Sequence, residues 1–185
     1  MSRTSRGRGL LESAPQWLAQ TPRVLRAHVE GQTREALERR PGGKAWSQAE
    51  ILAHLADYEV VCFQDRIERI LRGESFRSLD PEKRAAEIPY AVINPFTSLE
   101  VFEQERERSL ARIRQLSPDQ LERRALHRGK GEMTLARLLT EWVDHDLSHV
   151  RQLVTTAAQT LQPVTELESR APGPMGTSGR AVMIL

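Results

Sequence analysis

Apolar residues recur every three or four positions through most of the 185-residue chain. That is the period of helices with one buried face. The first such region runs from about Pro15 to Val29, with Trp17, Leu18, Val24 and Leu25 as its apolar positions. Pro22 is expected to kink it, or to restart it after Thr21. A short helical turn over Thr33 to Arg39 precedes PGGK, which breaks the chain. The second long helix has the clearest start. Ser47-Gln48-Ala49-Glu50 has the form of a capping box, and Trp46 and Ile51 stand where a hydrophobic staple would. It should run to about Arg72 and end at Gly73. Its inner stripe reads Ile51, Leu55, Tyr58 and Cys62, with His54 and Val61 beside it.

Residues 74 to 95 are too polar and too marked by proline for one helix, and read as a long connection. A third helix is expected from about Leu99 to Leu116, stopped by Ser117-Pro118. A fourth is expected from Thr134 to about Leu161, with Leu135, Leu138, Trp142, His145, His149, Gln152 and Thr156 on its inner face. Val, Ile and Thr form no alternating runs, so no sheet is expected. Four long helices with one long crossover make an all-α four-helix bundle. The expected organisation is a flexible basic arm over residues 1–13, the bundle over 14–167, and a disordered tail over 168–185, where Pro and Gly break any period.

Composition changes this picture little. Hydrophobic content is 39% and charged content 28%, and no apolar run reaches the length of a membrane span. Arg3, Arg6 and Arg8 are followed by no apolar stretch of a secretory signal. A single cysteine, Cys62, excludes an internal disulfide framework. These features point to a cytoplasmic protein with no membrane contact. The net charge is +2, but acids and bases alternate, as in EQERERSLARIRQ. That is the pattern of a solvated helix surface and not of a nucleic-acid face.

The exception to apolar burial is EWVDHDLSHVRQL, residues 141 to 153. His145 and His149 stand four apart on a stripe that is otherwise apolar, and helical spacing stacks them on one face. They could share a metal, hydrogen-bond within a polar network through Tyr58 or Gln152, or reach solvent. A metal needs at least a third donor from another helix. His54, flanked by apolar residues in AEILAHLADYE, is the natural candidate; His28 and His127 are poorer ones. Asp146 replaces the glutamate of the H-E-x-x-H signature and points about 100° off the ligand face. It reads as solvated or as a support for a ligand. Gln152, three after His149, and Tyr58, four after His54, are placed to contact a ligand imidazole or a bound cofactor or substrate. Cys62 reads as a small core residue.

AWSQAEILAHLADYE, residues 45 to 59, followed by EWVDHDLSHVRQL, resembles the DinB-like superfamily, also called the YfiT-like metal-dependent hydrolases. The resemblance covers roughly residues 14 to 162. It includes the tryptophan-serine entry to the second helix, one histidine there, and the histidine pair followed by glutamine on the last helix. It implies an up-down-down-up four-helix bundle. It also implies a divalent metal, most often zinc or nickel, held near one end of the bundle by His54, His145 and His149. Relatives include thiol S-transferases that use low-molecular-weight thiols. The expectation is therefore a metal-dependent enzyme of thiol S-transferase or hydrolase type acting on a small molecule. The alternative is a non-catalytic, metal-stabilised bundle acting through homodimer formation or ligand sensing.

Overall fold

The computed structural model describes residues 3–161. Residues 162–185, including the tail expected from 168, lie outside the described residues. Four helical rods carry the fold: α1 (Arg3–Val29), the rod made by α3 (Gln48–Tyr58) and α4 (Asp65–Arg72), α6 (Pro95–Arg114) and α7 (Leu135–Thr160). The short α2 (Arg34–Glu38) and α5 (Pro81–Glu87) lie in the connections. Contacts between rods fix their directions. Thr21 meets Asp146, so α1 and α7 run parallel, with Leu18 beside Trp142 in one cluster and Leu25 beside Leu153 in the other. His54 meets His149 and Phe63 meets Trp142, so α3 and α7 are antiparallel. Glu59 meets Arg106 and Glu68 meets Arg112, so the α3–α4 rod and α6 are parallel. The order is up, down, down, up. Among the described residues no helix is long and apolar enough to cross a membrane.

The first helix corrects the expected arm. Residues 3–13 are helical and continuous with the rest of α1. Leu10 and Leu11 pack against the core, and Gly7 lies beside Pro118 and Leu121. Leu11, Ala14, Leu18, Leu25 and Val29 make a stripe of helical period, which outweighs the arginines around it. Trp17 and Val24 were expected on that stripe but sit one residue out of phase, 53% and 46% exposed. Neither Pro15 nor Pro22 ends the helix. Each only removes one amide donor, and for Pro22 the carbonyl left without its partner is that of Leu18.

The second rod starts where the capping box predicts. Ser47 Oγ accepts from Glu50 N (3.2 Å), and Ser47 N donates to Glu50 Oε2 (2.9 Å). Gly73 ends the rod at φ 73°, in the left-handed region open to glycine. One π-helical turn, Glu59–Gln64, interrupts the α-helix between. Such turns insert one residue and often lie at functional sites; its first residue, Glu59, is buried. Ser47 is buried, so Ser47→Ala should lower stability by about 1–2 kcal/mol, the upper range for a lost N-cap. Denaturant titration reads this directly, and an unchanged midpoint would mean that Ser47 caps nothing.

The third rod begins earlier than expected, at Pro95. Asn94 Oδ1 accepts from Phe96 N (2.9 Å) and Pro95 takes the first helical position. The expectation of no sheet is also corrected. β1 (Arg124–His127) and β2 (Gly131–Thr134) form an antiparallel hairpin. Ala125 and His127 face inward on β1, but four residues are too few to show an alternating pattern. The bridge Phe76–His127, with Phe76 N donating to Leu126 O and Arg128 N to Phe76 O, binds the chain after α4 to this hairpin.

The apolar core falls into two clusters. One holds Leu18, Phe63, Leu110 and Trp142; the other holds Leu25, Leu55, Phe102 and Leu153. Between them on α1, α6 and α7 lie Thr21, Arg106, His145, Asp146 and His149.

Candidate metal centre

The antiparallel packing of α3 on α7 sets His54 against His145 and His149. The ring centroids are 4.4 Å apart for His145–His149, 4.6 Å for His54–His149 and 5.4 Å for His54–His145. One nitrogen from each ring lies within 4.8 Å of the others. Nε2 of His54 and Nε2 of His145 are 3.3 Å apart, within hydrogen-bond reach in the metal-free protein. Two imidazoles bound tetrahedrally at about 2.0–2.1 Å have nitrogens about 3.3–3.4 Å apart, so this pair already has the separation of two donors on one cation.

The outer nitrogens complete the test of fit. His149 Nδ1 lies 2.8 Å from Gln152 Oε1. An amide oxygen only accepts, so Nδ1 carries the proton and the Nε2 lone pair is left for a cation. Among the described residues the buried Nδ1 atoms of His54 and His145 have no hydrogen-bond partner. His145 Nδ1 stands 3.9 Å from Asp146 Oδ1, beyond a hydrogen bond but within electrostatic reach. Burial pushes His54 down to about 2, and the neighbouring His149 and His145 add to the shift. Burial and then His145 push His149 down to about 4, against the pull of Gln152 and Asp146. Both rings are therefore neutral near pH 7, the form that ligates metals.

Tyr58 stacks on His145 (5.8 Å between centroids, 6° between planes) and lies 4.0 Å from His54. Its hydroxyl is buried without a partner among the described residues, and burial pushes it up to about 12. Tyr58 and His145 line an open cavity of about 500 Å³ with Arg66, Lys130 and Glu141 among its walls. Cys62 also borders it, but the residue is buried and its thiol is pushed up to about 11, chiefly by burial. It is a protonated core thiol at neutral pH.

The other two histidines are engaged elsewhere. His28 Nε2 pairs with Gln48 Oε1 (2.7 Å). His127 is buried on β1, with Nε2 3.1 Å from Ser78 Oγ and Nδ1 accepting from Lys130 N (3.1 Å).

Asp146 is not solvated. It is 2% exposed and accepts from Thr21 Oγ1 (2.7 Å) and from both Nη atoms of Arg106 (2.6 and 3.0 Å). Arg106 is itself 1% exposed and also donates to both oxygens of Glu59 (2.7 and 2.8 Å). Burial would raise the Asp146 carboxyl, but the charge of Arg106 holds it below the usual range. At Glu59 burial prevails and the carboxyl is raised. The remaining donor of Arg106, Nη1, bonds Leu18 O at 2.8 Å, the carbonyl that Pro22 leaves open. Sequence reasoning missed this network because it took EQERERSLARIRQ as surface. The signal was there: Leu99, Phe102, Arg106, Leu110 and Ile113 step by three and four along one buried face.

The depressed histidines set a pH dependence for the metal-free protein. Above the unfolded value of about 6.5 neither state binds the protons, and stability is full. Below it the unfolded chain takes up protons that the folded rings refuse, so stability falls with pH. The window runs from about 6.5 down to about 4 for His149, and on toward about 2 for His54. The slope should approach roughly 1.4 kcal/mol per pH unit for each ring. Denaturant unfolding at about pH 7.5 and about pH 5.5, on either side of the unfolded value, should show the loss, with His54→Gln reducing it. Equal midpoints for wild type at both pH values would contradict the burial of neutral rings.

The sequence pattern of the DinB superfamily matches residues 18–153. No curated protein matches the chain. Among solved structures, YfiT from Bacillus subtilis matches with a TM-score of 0.72 and 22% identity, covering 80% of this chain and 86% of that one. It is described as a probable metal-dependent hydrolase with an unusual four-helix bundle topology. At that identity the likeness is one of fold.

Proposed function

The chain belongs to the DinB superfamily, and on that premise we propose that it is a metal-dependent enzyme acting on a small molecule. His54, His145 and His149 are its ligands for one divalent cation. Zinc and nickel suit neutral imidazole donors. The observation that supports the reading is the placement of the three rings. They converge beside an open cavity that His145 and Tyr58 line, with His54 buried and His145 and His149 partly buried behind it. Three protein donors are the mark of catalytic sites, which keep a position for water or substrate, whereas structural sites use four.

A bound cation would supply Lewis acidity there, lowering the pKa of a water or a substrate thiol toward neutrality. The chain's own groups do the rest. Gln152 holds the His149 proton on Nδ1 and fixes the ring. Asp146, anchored by Arg106, places negative charge behind His145. The Tyr58 hydroxyl, protonated and without a partner among the described residues, stands beside the cavity as a donor for a group that reaches past its wall. Cys62 does not serve as nucleophile, since its thiol stays protonated.

Hydrolysis is the first reading, because YfiT, whose fold this chain shares, is described as a probable metal-dependent hydrolase and water needs only the open position. Transfer to a low-molecular-weight thiol cofactor is the second. A cavity of about 500 Å³ is within the usual range of cofactor sites, and the chain has no activated thiol of its own. Zinc- and nickel-loaded protein should be assayed against a panel of esters and amides, and against alkyl halides and epoxides with and without an added thiol. We expect turnover that a chelator removes. Dependence on thiol assigns S-transfer, and its absence assigns hydrolysis. Stoichiometric metal without turnover in any arm would overturn the enzyme reading in favour of a metal-stabilised bundle that acts through dimerisation or ligand sensing.

A further inference from the structure

Arg66 and Leu79, which line the cavity at the histidines, also line a second cavity of about 340 Å³. The second cavity is walled by four arginines, Arg66, Arg69, Arg77 and Arg128, and a single carboxylate, Asp65. The fold builds this crowding. The bridge between Phe76 and His127 holds the chain after α4 against the hairpin, and so brings Arg77 and Arg128 beside the arginines of α4. The one carboxylate is already engaged, by Arg69 at 2.6 Å. Arg128 donates from Nε and Nη2 to the hydroxyl of Ser75 (3.2 and 3.1 Å). Among the described residues Arg66 has only the carbonyl of Arg77 at 3.3 Å and the face of Phe76 at 5.3 Å.

Several arginines elsewhere find carboxylates, as Arg72 has Glu74, Arg112 has Glu68 and Arg124 has Glu132, and others, such as Arg23, Arg114 and Arg151, stand exposed to water. Here a guanidinium is held partly buried against an aromatic ring, with two further arginines beside it and, among the described residues, no carboxylate of its own. Arg77 and Arg128 are exposed and reachable by water. Arg66 differs in being partly buried, set between the two cavities against the ring of Phe76. Guanidinium forks match the oxygens of carboxylates and phosphates, and a concave cluster of them concentrates anions.

We infer that this arginine pocket binds an oxyanion, a carboxylate or phosphate group, and that it extends the groove at the histidines. The substrate or cofactor is then an anionic small molecule. Its charged end lies at Arg66 and Arg128 and its reacting group lies toward His145. The second half of this inference rests on the function proposed above; the anion site itself does not.

The test uses inorganic phosphate and succinate as probes, titrated calorimetrically into metal-free full-length protein at constant ionic strength, because salt screens exposed charges. We expect saturable binding of at least one probe, and the preferred probe assigns phosphate or carboxylate. Arg66→Met and Arg128→Met should each weaken it by about tenfold or more, the loss of one charge-assisted contact. Arg124→Met, whose partner is Glu132 outside the pocket, should bind as wild type does. His145→Ala should also bind as wild type, which separates the anion site from the fate of the metal reading. Absence of saturable binding by both probes, or wild-type affinity in both pocket variants, would overturn the inference.

Discussion

Arg106→Met should lose about 3–5 kcal/mol of stability, the usual loss when one partner of a buried charge network is removed. The guanidinium is 1% exposed and makes five hydrogen bonds, two to Glu59, two to Asp146 and one to Leu18 O. Its removal leaves two carboxylates in a dry layer with only Thr21 and weaker partners. A variant that also carries Glu59→Leu and Asp146→Leu should recover much of the loss, because apolar replacement of a whole buried network is often tolerated. The single variant should also respond to acid. Its unpaired carboxylates have raised pKa values, so their penalty is largest at neutral pH and shrinks as pH falls toward the ordinary carboxylate range of about 4. In wild type the sign is opposite for Asp146, whose depressed carboxyl stabilises above that range. The gap between variant and wild type should therefore narrow in acid. A single-variant loss below about 1 kcal/mol, the size of a surface ion pair, would show that the network is solvated.

The second large effect is that of metal on thermal stability. A ligand that binds only the folded chain stabilises it by about 4 kcal/mol when present at a thousand times its dissociation constant. For a chain of this size that corresponds to roughly 8–16 °C in melting temperature. Wild-type protein loaded with zinc should lose that increment on chelation. His54→Ala, His145→Ala and His149→Ala should show no chelator response, yet keep their helical circular dichroism, because the two apolar clusters and not the ion supply most of the core. His28→Ala and His127→Ala should respond as wild type does. A chelator shift of equal size in the three ligand variants would place the stabilising ion elsewhere.

Much of the fold was legible because its strongest signals are local. The capping box at Ser47 and Glu50 announced α3, and Gly73 announced the end of α4. The histidines stood out because each falls on a stripe of apolar residues, where a polar side chain requires a reason. Arg106 occupied such a stripe too, but its run of charged neighbours hid it, and its partners Glu59 and Asp146 come from rods distant in sequence. Glu59 also continues the stripe of Leu52 and Leu55 by steps of three and four, but a charged residue there reads as surface. The helicity of residues 3–13 was obscured by Arg3, Arg6, Arg8 and two glycines, although Leu10 and Leu11 continue the period of α1. The hairpin was missed because its strands are four residues long and one of them rests on Phe76, about fifty residues upstream. The arginine pocket likewise depends on that bridge and has no signature along the chain.

The convergence of His54, His145 and His149 explains why two histidines stand one turn apart on a buried stripe. Elemental analysis after identical metal loading and removal of free ion tests that explanation most directly. Wild type, His28→Ala and His127→Ala should each retain one equivalent of a divalent cation per chain, while His54→Ala, His145→Ala and His149→Ala retain almost none. Equal stoichiometric metal in the three ligand variants and wild type, or none in wild type, would contradict it and leave the three rings as parts of a buried polar layer.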